Sequence, residues 1–294
     1  MGQLPQAVAA GLMMGALYAL MALGITFIYS LMKMVNWAMG EFYMLGSYAQ
    51  FVLITLILGP SLWFLGIPLS MVGVFLLGLA IQKGLLAPMF GPEAERRDEY
   101  ATIVTIALSV LIQNLVTILA GPYQWSPPEY LPLVTLGSIS VNGSRLAAAA
   151  GAVIILAGFY LLVRRTWLGL AFLGAAQNRV GAEVAGIDVR RLDALAFGIG
   201  VALAAAAGAL LAPVFLVYPT NGAVSTVKGF EIIVIGGLGS LTGSVAAAFL
   251  LGLVESLGAV FISPAYQDLY GFAFLIAMLF LRPQGIFGER ERRV

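Results

Sequence analysis

The sequence contains no cysteine and no histidine. Without thiols there is no disulfide framework and no thiol nucleophile. Without imidazole there is no His/Cys metal site and no His-based triad. Charge is scarce as well: 10% of the 294 residues are Asp, Glu, Lys or Arg, against about 25% in a soluble domain. The formal net charge of +1 leaves no electrostatic footprint for nucleic acid. No G-x-x-x-x-G-K-[ST] loop surrounds Lys33, Lys83 or Lys228, so the chain does not bind ATP through a P-loop. No residue cluster pairs a nucleophile with a base. An enzyme is not expected, nor is a cofactor or metal.

What is present is apolar residues, 61% of the chain. They fall into runs long enough to cross a hydrocarbon core of about 30 Å as helices. The alternation of a barrel strand over about ten residues is absent. The sequence predicts an all-α, polytopic membrane bundle forming one domain. Spans fall near 7–32, 42–59, 62–82, 101–121, 146–163, 193–217, 244–262 and 266–281. The first has no basic segment ahead of it and is too long for a signal peptide, so it reads as a transmembrane helix. A further crossing, broken by glycines, is expected over 219–243, giving eight or nine crossings.

Basic residues set the expected orientation. Thirteen of the fifteen Lys and Arg fall in loops near 33–41, 83–100 and 164–192 and in the tail after 281; only Arg145 and Lys228 fall on the other side. The basic side reads as cytoplasmic, with the N-terminus outside and the C-terminus inside. The loop 122–145 reads as an outer connector, or as a short element lying on the outer surface.

Within the spans, small residues come first. Gly11, Gly15, Ala19, Ala22 and Thr26 share one helix face and suit close backbone packing in lipid. Asn36, Gly40 and Glu41 interrupt the pattern between two spans. They read either as a solvated helix end or as a break lining the mouth of a path. Gln113 and Asn114 sit mid-span, as interhelical hydrogen bonders or as pathway lining. Gly236, Gly237, Gly239 and Gly243 crowd into eight residues and predict a bend or two half-helices facing a polar solute. Glu255 lies about twelve residues into its span, on the order of 18 Å deep. A carboxylate there costs roughly 2.5–3.5 kcal/mol on insertion scales, so it should face the bundle interior. Ala248, Gly252 and Ala259 share its face. The two readings of Glu255 are a packed hydrogen bond and a role in translocation or gating. Glu231 reads as lying near the outer interface beside Lys228.

One stretch is too polar to span and too long to be a turn: Arg164 to Arg191, with five basic residues (Arg164, Arg165, Arg179, Arg190, Arg191). A transporter with no P-loop of its own must borrow its energy, and this loop is the natural place to receive it.

Five pieces in order carry a family resemblance: residues 15–48 (GALYALMALGITFIYSLMKMVNWAMGEFYMLGSY), 106–114 (IALSVLIQN), the RRTWLGLAF…AQN…AGIDV pieces of 164–189, 235–256 (IGGLGSLTGSVAAAFLLGLVES) and 281–289 (LRPQGIFGE). The chain resembles the LivH-type permease subunits of bacterial ABC importers for branched-chain amino acids, from Gly11 to Gly288. Two departures stand out. Met39 occupies a position that is often His in the family. Phe172-Leu173-Gly174 stands where the coupling loop is usually more basic.

The resemblance implies a non-catalytic subunit in the bacterial inner membrane, with lipid around it. A second permease subunit would share the pathway, two cytoplasmic ABC ATPase subunits would drive it, and a periplasmic or lipid-anchored amino-acid-binding protein would dock outside. Arg179, Glu183, Ala185, Gly186 and Ile187 would couple to the ATPase, on a short helix from about Leu170 to Val184 ended by Gly186. Asn36, Glu41, Asn114, Gly236, Gly237, Gly239 and Glu255 are the candidate pathway residues. Urea or short amides in the same machinery, or a stand-alone secondary transporter, are the alternatives.

Overall fold

The computed structural model describes residues 3–90, 96–128, 130–136 and 139–288. Arg290, Arg292 and Arg293, part of the basic tail, lie outside them, as does Glu289. The helices are α1 (Gln3–Met32), α2 (Met39–Val52), α3 (Trp63–Ile81), α4 (Arg97–Ala120), α5 (Gly143–Arg165), α6 (Trp167–Gln177), α7 (Arg179–Val184), α8 (Val189–Leu211), α9 (Asn221–Gly236), α10 (Leu241–Phe261) and α11 (Gln267–Leu281). Short π-helical and 3-10 turns prolong α2 and α3. Among the described residues, eight helical segments are long and apolar enough to cross a membrane, and each corresponds to one span read from the sequence.

The loop 122–145 holds an antiparallel hairpin, β1 (Leu133–Leu136) and β2 (Ile139–Asn142), with Leu133 opposite Asn142. Asn142 then caps α5, its Oδ1 accepting from the Ser144 and Arg145 amides. Upstream, Trp125 and Val217 exchange backbone hydrogen bonds of 2.8 and 2.9 Å. They tie this loop to the segment between α8 and α9.

Helix α8 forms the centre. Its most apolar window is 89% buried, against 6% for that of the segment ending in α11. Lipid is as apolar as leucine, so burial of this kind comes from close packing of small residues. Gly200 meets Gly24 of α1, Ala205 meets Gly46 of α2, and Gly198 and Val201 meet Gly78 of α3. The small-residue face of α1 behaves as the sequence predicts. Gly11 abuts Gly252, Gly15 abuts Ala248 and Phe249, and the Thr26 and Ser244 hydroxyls are 2.5 Å apart, all against α10.

Between α1 and α2 the backbone leaves the helix. Lys33 adopts φ 53°, and residues up to Asn36 are irregular. Met34 and Asn36 in the break are buried by protein, whereas Lys33 and Trp37 are exposed. The Trp37 amide donates to Thr105 Oγ1 on α4, and its ring packs on Phe230 of α9. The Gly40 amide donates to Thr226 Oγ1 at 3.0 Å, and Gly40 and Gly222 touch through their backbones.

The glycine-rich segment corrects the expectation of a broken crossing. Helix α9 is continuous over its 16 residues, about 24 Å. Gly237 and Gly239 lie in the turn that follows it. Gly237 and Gly239 take φ of +101° and +85°, a region L side chains avoid, and α10 starts at Leu241. Gly236 and Gly243 let the two helices touch through their backbones. The chain after α11 folds back here: the Ile286 and Phe287 amides donate to the Ile235 and Gly236 carbonyls at 2.8 and 3.0 Å. Two of the sequence landmarks, the glycine run and the LRPQGIFG piece, thus interlock. The free carbonyls at the end of α9 find donors there.

The basic loop also differs from expectation. One helix over Leu170–Val184 is replaced by two, α6 and α7, parted at Asn178. Asn178 is extended, and its Oδ1 accepts from the Gly181 amide at 2.8 Å, so it starts a new helix instead of continuing the old one. The expected stop at Gly186 holds: its φ is +86° and the Ile187 amide returns to the Ala182 carbonyl. The apolar Phe172 has a partner. Its ring stands edge-on to Phe27 of α1 at 4.9 Å, which fastens α6 beneath the bundle.

Candidate functional site

A cavity of about 540 Å³ opens among α1, α2, α8 and α9 and the start of α11. Its apolar wall comes from Met14, Leu17, Met21, Leu211, Phe215 and Ile232. Its polar wall comes from Tyr18, Tyr43, Asn221, Ser225, Lys228 and Asp268. Asn221 Nδ2 donates to Ser47 Oγ at 3.3 Å, while its Oδ1 is buried without a protein partner.

Lys228 organises the polar wall. Its Nζ lies 2.5 Å from Glu255 Oε1, 3.0 Å from Asp268 Oδ1 and 3.4 Å from Glu231 Oε2. The Tyr18 hydroxyl donates to the other Glu255 oxygen at 2.9 Å. Lys228, Glu231 and Glu255 are buried, whereas the Asp268 side chain is 70% exposed. One ammonium therefore faces three carboxylates. Buried charges persist only when paired and hydrogen-bonded. The contact with exposed Asp268 is the one of the three that water screens, so it contributes least. Gly271 presses on the cluster from α11, and a Cβ there would meet Glu255 Oε1 at 2.7 Å and Lys228 Nζ at 3.2 Å.

This arrangement corrects one position: Lys228, expected in an outer loop, is a buried residue of α9. Glu231 lies beside it, one turn further along, and is buried as well. Of the candidate pathway residues read from sequence, Glu255 alone joins the cluster. Asn36 and Glu41 are buried at the α1–α2 break: Asn36 Oδ1 accepts from the Ala38 amide, and Ser109 Oγ donates to Glu41 Oε1. Asn114 is exposed on α4 and bonds its own helix through Val110 O. Gly236 ends α9, Gly237 and Gly239 belong to the turn after it, and none of the three is on the cavity wall. Sequence reasoning missed Tyr18 and Asp268 entirely. The available signal was Lys228 and Glu231, three residues apart, where Phe230 to Val234 is otherwise apolar.

The basic loop has a different character. Glu183, Ala185 and Gly186 are exposed, Ile187 is half-buried against the core, and Trp167, Leu170, Val180 and Val184 present apolar surface. Arg179 turns inward, onto buried Asp193.

Glu255→Gln keeps one oxygen that can accept from Lys228, and its amide NH2 can donate to the Tyr18 hydroxyl oxygen, whereas Glu255→Leu keeps neither contact. Gln is expected to retain more uptake and more folded protein than Leu, read by transport and thermal unfolding. Equal loss in both would make the charge itself the requirement.

The family model described as "Branched-chain amino acid transport system / permease component" matches residues 7–279. The chain is 31% identical to the high-affinity branched-chain amino acid transport system permease protein LivH of Escherichia coli K12, covering 96% of this chain and 94% of that protein. It is 32% identical to the corresponding permease protein BraD of Pseudomonas aeruginosa, with the same coverage. It is 26% identical to the probable branched-chain amino acid transport permease protein LivH of Methanocaldococcus jannaschii, over 92% of this chain and 89% of that one. Among solved structures it is similar to PsaBC from Streptococcus pneumoniae in complex with Fab, with a TM-score of 0.51, 14% identity, and coverage of 98% of this chain and 94% of that one. At that identity the likeness speaks for the fold alone.

Proposed function

The chain belongs to the family of permease components of branched-chain amino acid transport systems, and from that premise we propose that its cavity is where the amino acid passes. The protein is a multi-pass membrane subunit and not an enzyme. The observation that carries the reading is the pairing of Lys228 with Asp268 on a wall otherwise lined by Met14, Leu17, Met21 and Leu211. A free branched-chain amino acid carries a carboxylate, an ammonium group and an apolar side chain. Its carboxylate would draw Lys228 away from exposed Asp268, its weakest partner. Asp268, so released, would take the ammonium group. The apolar wall would take the side chain. Urea has neither charge and would not compensate the broken pair.

The energy would come from separate ATP-hydrolysing subunits at the loop carrying Glu183, Ala185, Gly186 and Ile187. A second permease subunit and an outer amino-acid-binding protein would complete the importer. The orientation in keeping with the basic residues has the N-terminus outside and the loop 164–192 in the cytoplasm. Exposed Trp167, Val180 and Val184 then form apolar surface on the side where the ATP-hydrolysing subunits would bind.

The test is uptake by the reassembled importer in proteoliposomes, with ATP inside. Leucine, isoleucine or valine should accumulate and urea should not. Uptake of urea but not leucine would transfer the reading to small amides. Uptake by this chain alone on an ion gradient would replace it with a secondary transporter. Replacing Gly186 and Ile187 together by bulky polar residues should uncouple hydrolysis from uptake. A Cβ at Gly186 meets open space, so the strain comes from its φ of +86°. Membrane insertion should be unchanged, as read by protein recovered from membranes; undiminished uptake would exclude this turn from coupling.

A further inference from the structure

Arg179, at the start of α7, does not face outward with its neighbours. Its guanidinium spans both oxygens of Asp193, with Nη1 to Oδ1 at 3.1 Å and Nη2 on Oδ2. Asp193 lies in the second turn of α8, and its side chain is fully buried. The same guanidinium lies over the Phe90 ring, 4.3 Å from the centroid. A forked, planar cation is suited to holding a carboxylate with both geometry and charge fixed. The link between α7 and α8 is short and closed at each end. The Ile187 amide bonds back to Ala182, and Asp188 Oδ1 accepts from the Arg191 amide to start α8.

Helix α8 then runs straight to the cavity. From Asp193 to Ala207 is about 21 Å of helix, and Ala207 and Leu211 both line the cavity. Along that length α8 meets α1 at Gly24 and Gly200, and α2 at Gly46 and Ala205, through backbone atoms. It meets α3 where the Phe75, Leu79 and Val201 side chains fill the space beside Gly198 and Gly78. The two backbone contacts leave little between the helices to absorb a displacement. We propose that Arg179 and Asp193 are positioning residues. They clamp the α7 turn to α8, so that a push on the turn moves α8 as a rod and reshapes the cavity at its far end. On this view Arg179 is not itself a contact for the ATP-hydrolysing subunits. The proposal rests on the reading of the α7 turn as the place where those subunits push.

The experiment uses the whole importer in proteoliposomes, with Arg179→Gln, Asp193→Asn and Arg179→Lys. It measures co-purification of the ATP-hydrolysing subunits, basal hydrolysis, its stimulation by loaded binding protein, and uptake per ATP. The Gln and Asn variants should keep the subunits and basal hydrolysis while uptake per ATP falls roughly tenfold, within the ordinary range of coupling between sites. Lys keeps the charge without the fork and should lie between. The chain has no cysteine, so the pair Arg179→Cys with Asp193→Cys can be bridged by a short bifunctional thiol reagent. Bridging should restore uptake per ATP. Undiminished coupling in Arg179→Gln would overturn the proposal. So would loss of the ATP-hydrolysing subunits from it, since Arg179 would then be a contact. If neither single variant is recovered as folded protein from membranes, an intermediate Arg179→Lys supports the clamp and a fully coupled one overturns it. Failure of the wild-type importer to use ATP at all is a separate result, and it would remove the underlying reading instead.

Discussion

Lys228→Met should abolish uptake and lower the yield of folded protein. Three carboxylates, two of them buried, lose their shared cation. Breaking a buried pair from one side costs about 3–5 kcal/mol, because the remaining charge has no compensation. Glu231 is the most exposed to this loss in energetic terms, since its Oε1 already has no protein partner and Lys228 serves its Oε2. The companion variant is Lys228→Met with Glu255→Gln. Removing one charge of each sign should recover part of the stability, giving a favourable interaction in a double-mutant cycle. Thermal unfolding in detergent reads the stability, and amino-acid uptake reads the function. Wild-type stability in Lys228→Met, with strictly additive effects in the double variant, would mean that the cluster is not held by its lysine.

Gly252→Leu should be nearly as severe, for a steric reason. A Cβ at Gly252 would stand 2.8 Å from Gly15 N and 2.9 Å from Gly15 Cα, and these are backbone atoms that no rotamer can move. Gly11 stands in the reciprocal position, with its own Cβ direction 2.9 Å from Gly252 O. Overpacking typically costs about 1–3 kcal/mol, and here a whole branched side chain must enter a backbone contact. The helices would have to part, and Tyr18 of α1 would leave Glu255 of α10. Gly252→Ala should give the same loss in smaller measure. Thermal unfolding and leucine uptake should fall in the order wild type, Ala, Leu; unfolding of the Leu variant at the wild-type temperature would contradict it.

Much of the architecture was legible because membrane helices announce themselves by length and apolarity. The shared face of Gly11, Gly15, Ala19 and Thr26, and that of Ala248, Gly252 and Glu255, was also legible, since helical spacing alone places small residues together. Three features were not. A dense run of glycines breaks helices, but a break inside one helix and a turn between two look alike in sequence; Gly237 and Gly239 made the turn. Lys228 looked like a loop residue because charge counting treats every lysine as seeking water, whereas Glu231, Glu255 and Asp268 supply its partners from three helices. Asn178 lay inside a stretch that read as one helix, and its role as a cap depends on an extended backbone that residue identity does not fix. The wrong position for Lys228 hid most of the candidate site. Glu255 was found without the residues that explain it.

The way α1 and α2 are secured has a consequence for how the chain is made. Gly40 at the start of α2 is held by Thr226, 186 residues later, and Tyr18 of α1 by Glu255, 237 residues later. At a synthesis rate of about 5–20 residues per second, those partners emerge roughly ten to fifty seconds after the segments they lock. Through that interval Trp37 and Gly40, at the entry to α2, lack first their α4 contact and for longer their α9 contacts. Helices α1 and α2 are therefore made well before the partners that fix them in place. The half-made protein must be sheltered by something other than itself.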